Sequence, residues 1–172
     1  MTNSLSLLPD RIQRPAGVRV YLQLLKPDQA KELYAVTNDP AITETVSFLS
    51  YPVDPRFADE WIAKNAGTQE RIYGIFALDG QLAGQLGVHL AAQSTAVELG
   101  YWVGSSFKGQ GFASSALQLV VQELREIYPA LSVFAECRPD NAASLKVLAK
   151  SGFVPTGESG KRQSRIRLEP KF

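Results

Sequence analysis

The stretch that most constrains this chain is residues 97–117, Val-Glu-Leu-Gly-Tyr-Trp-Val-Gly-Ser-Ser-Phe-Lys-Gly-Gln-Gly-Phe-Ala-Ser-Ser-Ala-Leu. Residues 97–103 are β-formers around one glycine, residues 104–111 hold turn formers and a cation, and from Ala113 the apolar residues recur with a helical period. A strand, a loop and a helix in that order aim the loop's N–H groups and the first unpaired N–H groups of the helix at one point, where the helix dipole adds partial positive charge. Such a point suits an anion. Gly109 and Gly111 let the backbone approach it with no Cβ in the way, and Lys108 adds a full charge beside it. The dinucleotide fingerprint, with three glycines directly after a strand, does not fit. Neither does the P-loop, which needs Gly-Lys-Ser/Thr entering the helix.

Lys108-Gly109-Gln110-Gly111-Phe112-Ala113 resembles the Gln/Arg-x-x-Gly-x-Gly/Ala pyrophosphate loop of the GNAT N-acetyltransferases, with Lys108 where Gln or Arg is usual. Farther on, Asn141-Ala-Ala-Ser144 and the helix exit Gly152-Phe153 resemble the Asn-x-x-Ser/Ala helix of the same superfamily. Taken in order with Glu98-Leu-Gly-Tyr-Trp102, these motifs most resemble the branch that contains the ribosomal-protein N-terminal acetyltransferases and the spermidine acetyltransferases. They cover residues 98–153.

The resemblance implies acetyl-coenzyme A as donor, a primary amine as acceptor, direct attack in a ternary complex, and no metal. It places Lys108, Gly109, Gln110, Gly111, Phe112 and Ala113 on the pyrophosphate, and the backbone of Tyr101, Trp102 and Val103 on the thioester. Glu98 stands where several family members carry a glutamate base; a structural glutamate bonded at the sheet is the alternative. Ser144 is expected near the thiol sulfur, or else is an ordinary first-turn hydroxyl, and Asn141 either binds the pantetheine amide or simply caps its helix. Many relatives carry a tyrosine acid seven residues after that asparagine. Here the residue is Leu148, which removes that acid.

A chain of 172 residues is expected to form a single N-acetyltransferase domain, 1–172, burying about 70% of its unfolded surface. A formal charge of +1 with 45% hydrophobic residues argues against disorder and against nucleic-acid binding by bulk charge. One cysteine, Cys137, and one histidine, His89, exclude an internal disulfide and Cys- or His-rich metal ligation. No signal-peptide core and no apolar run near 18 residues is present, so a cytoplasmic protein with no membrane partner is expected, as monomer or homodimer.

Read in order, residues 1–17 form an irregular lead-in, and Val18, Val20, Leu22 and Leu24 alternate as a first strand. Pro27 opens a helix that Asn38-Asp39-Pro40 stops, residues 42–52 read as a loop, and Asp54-Pro55 opens a second helix through Trp61. Phe48, Tyr51 and Trp61 are candidate acceptor contacts if that segment walls the site, and otherwise pack the helix on the sheet. Residues 71–78 and 82–90 flank Asp79-Gly80 as a hairpin, with Leu82, Leu86 and Val88 on one face and Gln85 and His89 on the other. His89 reads as a hydrogen-bonded or exposed side chain rather than a base, and Cys137 as a core residue.

The helix from Ala113 carries Ala116, Leu117, Val120, Val121, Leu124 and Ile127 on one face. The strand that follows, 131–137, must pair in parallel through a right-handed crossover. A last helix and two strands, 154–157 and 165–168, complete the chain, with Lys161 and Arg162 in the turn between them, solvated or touching an adenosine 3′-phosphate. The expected fold is α/β, a mixed and mostly antiparallel sheet of six to seven strands with a central parallel pair and about four helices on its faces. Three functions compete: an acetyl-CoA-dependent N-acetyltransferase acting on a peptide or protein α-amine or a small monoamine, a coenzyme A sensor without catalysis, and an interaction domain of the same fold. Acidic residues near the acceptor wall, Glu44, Asp54, Asp59 and Glu60, are too sparse for a polyamine, which ranks a single-charge amine first.

Overall fold

The structure is a computed structural model and describes residues 4–14, 18–92 and 95–171. The lead-in is not irregular filler. Leu5, Leu8 and Ile12 are buried in the main core, and Arg11–Ile12 forms a short strand, β1, on β2 (Val20–Leu24). Leu5 N donates to Thr68 O at 2.8 Å, Leu24 N to Asp10 O at 2.7 Å, and Tyr73 Oη to Pro9 O at 2.8 Å. The sequence concealed this because the apolar residues of the lead-in meet the sheet one at a time, with no repeating face. Residues 1–3 and 15–17 of the lead-in, Gln93 and Ser94 before the organising strand, and Phe172 lie outside the described residues.

A 3-10 turn at Pro27–Gln29 leads into α1 (Ala30–Thr37), followed by α2 (Pro40–Thr43) and α3 (Phe57–Ala63). The helix α2 enters the segment expected to be a loop; Asp39 nucleates it, its Oδ1 accepting from Ala41 N at 2.9 Å, with Pro40 at the first helical position. Next come β3 (Glu70–Ala77), β4 (Leu82–Leu90), β5 (Ala96–Val103), α4 (Phe112–Ile127), β6 (Ser132–Cys137), α5 (Ala142–Lys150), β7 (Phe153–Ser159) and β8 (Ile166–Pro170). The described residues therefore hold eight strands and five α-helices rather than six to seven and about four, the additions being β1 and α2. The sheet order is β1-β2-β3-β4-β5-β6-β8-β7, antiparallel except for the central β5–β6 pair.

Helices cover both faces. The predicted stripe of α4, from Ala116 to Leu124, packs on Leu86, Val88, Val97 and Leu99 in the main core, where each fully buried Leu or Val contributes roughly 1.5–3 kcal/mol. The opposite face carries a second core in which Leu33, Ala58 and Ile62 of α1 and α3 meet Ile72, Phe76 and Leu82. Leu82 was expected beside Leu86. A bulge decides otherwise: Ile75 pairs with Gly84 and Phe76 with Leu82, so Ala83 is an extra residue and the alternation reverses there.

The feature that matters most for the site is where β5 and β6 stop pairing. Ala96, Val97 and Glu98 pair with Ser132, Val133 and Phe134; from Ala135 onward β6 pairs with β8 instead. β5 continues on β4 as far as Val103. Residues 99–103 therefore have no ladder partner on the β6 side, and the sheet opens into a wedge.

Candidate active site

A cleft of about 820 Å³ occupies that wedge. It gathers Phe48, Trp61, Glu98, Tyr101, Trp102, Val103, Lys108, Gly109, Gly111, Phe112, Ala113, Asn141 and Ser144 from among the residues singled out in the sequence. Two expected members are not in its wall. Gln110 turns back, its Nε2 donating to Ser106 O at 3.0 Å, and Tyr51 stands on the surface, 56% exposed. Both lie in turns where neighbouring side chains diverge, so closeness in sequence did not place them in the cleft.

One half of the cleft is backbone. Gly111 is the N-cap of α4 at φ +81° and Gly109 lies at φ +76°, both in the left-handed region that favours glycine. No side chain caps α4, so its first N–H groups face the cleft without an intramolecular acceptor. A Cβ on Gly111 would come within 3.9 Å of Lys150 Nζ, which sets a second cation beside the exposed Lys108. Lys146, one turn before Lys150 on α5, also lines the cleft. The sequence reading missed this pair, although the i, i+4 spacing of Lys146 and Lys150 was the available signal. Convergent N–H donors, absent Cβ atoms and lysines suit the pyrophosphate of coenzyme A.

Where the two strands part, Tyr101 and Ser144 share a hydrogen bond at 2.9 Å between Oη and Oγ. Asn141 caps α5, its Oδ1 accepting from Ser144 N at 3.0 Å, which places Ser144 in the first turn. Burial pushes the Tyr101 phenol up to about 12, more than the Ser144 bond pulls it down. Cys137 lines the same wall, and burial pushes its thiol up as well. Leu148 is fully buried in the core. The hydroxyl that meets Ser144 is that of Tyr101, reaching it from β5.

The other half is made of side chains from distant elements. Trp61 and Trp102 lie with ring centroids 5.8 Å apart; Phe48 stacks on Trp61 at 5.1 Å, and Phe57 lies 5.6 Å from it. Trp61 Nε1 donates to Gln85 Oε1 at 3.2 Å and Trp102 Nε1 to Thr37 Oγ1 at 3.0 Å. Trp61 thus both packs α3 and walls the cleft, while Phe48 is 54% exposed and belongs to no core.

Of the carboxylates here only Glu98 was expected: Glu70 and Glu136 line the cleft as well, and Glu44, Asp54, Asp59 and Glu60 do not. Each is already engaged. Arg162 Nη2 lies 2.7 Å from Glu98 Oε1, Lys161 N donates to Glu136 Oε1 at 2.6 Å, and Lys64 Nζ lies 3.1 Å from Glu70 Oε1. The turn holding Lys161 and Arg162 is exposed, as expected of a solvated turn, and is also tied to the cleft through Glu136 and Glu98. Burial raises the Glu70 carboxyl, and the hydrogen bonds from His89 and Lys64 outweigh it, holding the group below the usual carboxylate range. Among the described residues no group of three or more His, Cys, Asp or Glu is placed to hold a metal, and no helix is long and apolar enough to cross a membrane.

Known proteins share this fold. A family profile described as acetyltransferase (GNAT) domain matches residues 19–154. The ribosomal-protein-serine acetyltransferase of Escherichia coli (strain K12) is 35% identical over 60 residues, 35% of this chain and 34% of that one, so the match spans about a third of the relative. In overall shape, the ribosomal L7/L12 alpha-N-protein acetyltransferase RimL, solved with coenzyme A in disulfide linkage to a cysteine, has a TM-score of 0.76 at 20% identity, covering 90% of this chain and 94% of that one. The spermidine N-acetyltransferase of Vibrio cholerae, solved with coenzyme A and spermine, has a TM-score of 0.73 at 15% identity, covering 87% and 94%. The matched residues include the parted strands, the uncapped helix and the loop between them, and with a match over most of its length the chain belongs to the GNAT acetyltransferase family.

Proposed function

We propose that residues 1–172 work as one domain that transfers the acetyl group of acetyl-coenzyme A to a primary amine, a peptide or protein α-amine or a small monoamine, by direct attack in a ternary complex. The observation that carries this reading is the wedge after Glu98, where β5 keeps β4 but loses β6, with the uncapped start of α4 at its mouth. Acetyl-coenzyme A supplies an activated acyl carbon and a thiolate leaving group. The first N–H groups of α4 with Lys108 and Lys150 would hold its pyrophosphate, and the unladdered backbone of 99–103 would donate to the thioester oxygen. Ser144, backed by Tyr101, stands at the place for the departing sulfur, and Glu98 is the carboxylate that meets the acceptor's ammonium.

The acceptor class rests on charge. Glu70, Glu98 and Glu136 each already face a cation or backbone N–H groups, and Arg165 adds further positive charge to the wall. A polyamine would leave ammonium groups uncompensated in such a cleft, at a cost that a single α-amine avoids. The aromatic wall of Phe48 and Trp61 offers an apolar surface to the residue bearing that amine.

The test is steady-state acetylation with acetyl-coenzyme A and a panel holding a serine-initiated peptide, phenylethylamine and spermidine, alongside a coenzyme A titration. Turnover with the peptide or monoamine ahead of spermidine is expected. Binding without turnover on any amine would leave a coenzyme A sensor, and no binding would leave an interaction domain.

A further inference from the structure

The one histidine of the chain sits in a row of acid–base groups that crosses three strands. Glu70 of β3 pairs with His89 of β4, and His89 with Glu98 of β5, so the three side chains stand side by side on the acceptor face. His89 Nδ1 lies 2.7 Å from Glu70 Oε1. A carboxylate acceptor there fixes the tautomer with the proton on Nδ1 and leaves Nε2 as the lone-pair nitrogen.

The next row holds Ile72, Gly87 and Gly100. The imidazole leans onto that row: a Cβ on Gly87 would lie 2.3 Å from Nε2, and one on Gly100 would lie 4.0 Å from it. Two facing glycines thus make the floor on which the ring lies, and Nε2 is carried away from Glu98 toward the part of β5 that has lost its β6 partner. Glu98, meanwhile, has Oε1 committed to Arg162 at 2.7 Å.

From this juxtaposition we propose that His89 is the proton acceptor of the reaction and Glu70 its positioning residue, with Glu98 holding the ammonium by charge. The inference rests on the acetyltransferase reading above and deepens it. Nε2 takes one proton from the acceptor's ammonium, and Glu70 stabilises the imidazolium that results. The freed amine nitrogen bonds to the thioester carbonyl carbon, and the carbon–sulfur bond breaks. Ser144 gives its hydroxyl proton to the thiolate, and the nitrogen's second surplus proton restores it. One ammonium and one thioester become one amide, one thiol and the proton on Nε2, which passes to water.

The test uses the full chain, acetyl-coenzyme A and the best acceptor of the panel. His89→Asn keeps an N–H near the Nδ1 position for Glu70 and removes Nε2. It should lower kcat by about a hundredfold or more, the usual contribution of a general base, while the acceptor KM and coenzyme A binding stay within about threefold. Added imidazole should restore part of the rate to His89→Ala. Glu70→Gln should lower kcat in the wild-type background by about tenfold and do nothing further in His89→Asn, since two groups acting as one unit are not additive. A fivefold or smaller loss in His89→Asn, absence of imidazole rescue, or additive losses in the double variant would each overturn the assignment. Wild-type protein that binds coenzyme A and acetylates no amine would instead overturn the acetyltransferase reading, and the role of His89 with it.

Discussion

The two halves of the cleft are built on different principles. The half proposed for coenzyme A is backbone from one contiguous segment, β5 through the start of α4, supplemented by α5. What it offers a pyrophosphate is N–H direction and missing Cβ atoms at Gly109 and Gly111. The acceptor half is assembled from side chains of α3, β3, β4, β5 and the turn between β7 and β8, elements that meet only in the folded chain. A backbone site should tolerate side-chain variation, such as Lys108 at its unusual position, but not a change of backbone conformation. A side-chain site behaves the other way round.

Four variants press on that contrast. The largest effect is expected at Gly111→Val, which forces a β-branched residue to φ +81° and sets a Cβ at the helix entrance. Coenzyme A affinity should fall by at least about a hundredfold in a titration while circular dichroism stays native. Equal binding by a folded variant would dissolve the backbone half of the comparison.

Glu98→Gln comes next. It removes the charge of a carboxylate 16% exposed on the acceptor side, and charge-assisted bonds of this kind contribute about 1.5–3 kcal/mol, so kcat/KM for the amine should fall roughly 10- to 150-fold. Coenzyme A affinity should not move. A loss shared equally between the two ligands would mean that the halves are not separable.

Tyr101→Phe tests the seam between them. The phenol ionises at about 12 in the folded chain against about 10 unfolded, so the fold binds this proton more tightly, and the associated stability is present below pH 10 and is lost as pH rises toward 12. At pH 11 the wild type should have lost about 1.4 kcal/mol that Tyr101→Phe never had, seen as converging urea midpoints between pH 8 and 11. Parallel curves would show that the phenol is not buried as described.

The smallest effect belongs to Lys150→Ala. Removing one partly solvated cation from a helix-N-terminal anion site should weaken coenzyme A binding about two- to fivefold, and less at high salt. A larger loss would mean that side chains, not backbone, dominate that half.

The same contrast explains what could be read in advance. Strand, loop and helix over residues 97–117 were legible because all their signals are local: β-formers, glycines at a turn, then a 3.6-residue period on α4. The Asn141 cap and the Gly152 exit were legible for the same reason. The bulge at Ala83 was not, because either register satisfies the apolar pattern of β4 and only pairing with β3 selects one. The lead-in was not, because Leu5 and Pro9 are held by Thr68 and Tyr73, more than sixty residues away, and Ile12 by pairing with β2.

By itself, then, the amino-acid sequence determined most of the elements, the strand–helix–strand crossover and the glycine entrance of α4, properties of local windows whose backbone preferences need no distant partner. Tertiary structure alone decided that β5 and β6 part after Glu98, that Tyr101 meets Ser144, that Arg162 closes on Glu98, and that His89 lies across two glycines with its Nδ1 on Glu70. These are contacts between residues far apart in the chain, each chosen by packing and charge only once the sheet has assembled. A single histidine on a strand carries no such information until its neighbours on β3 and β5 are in place.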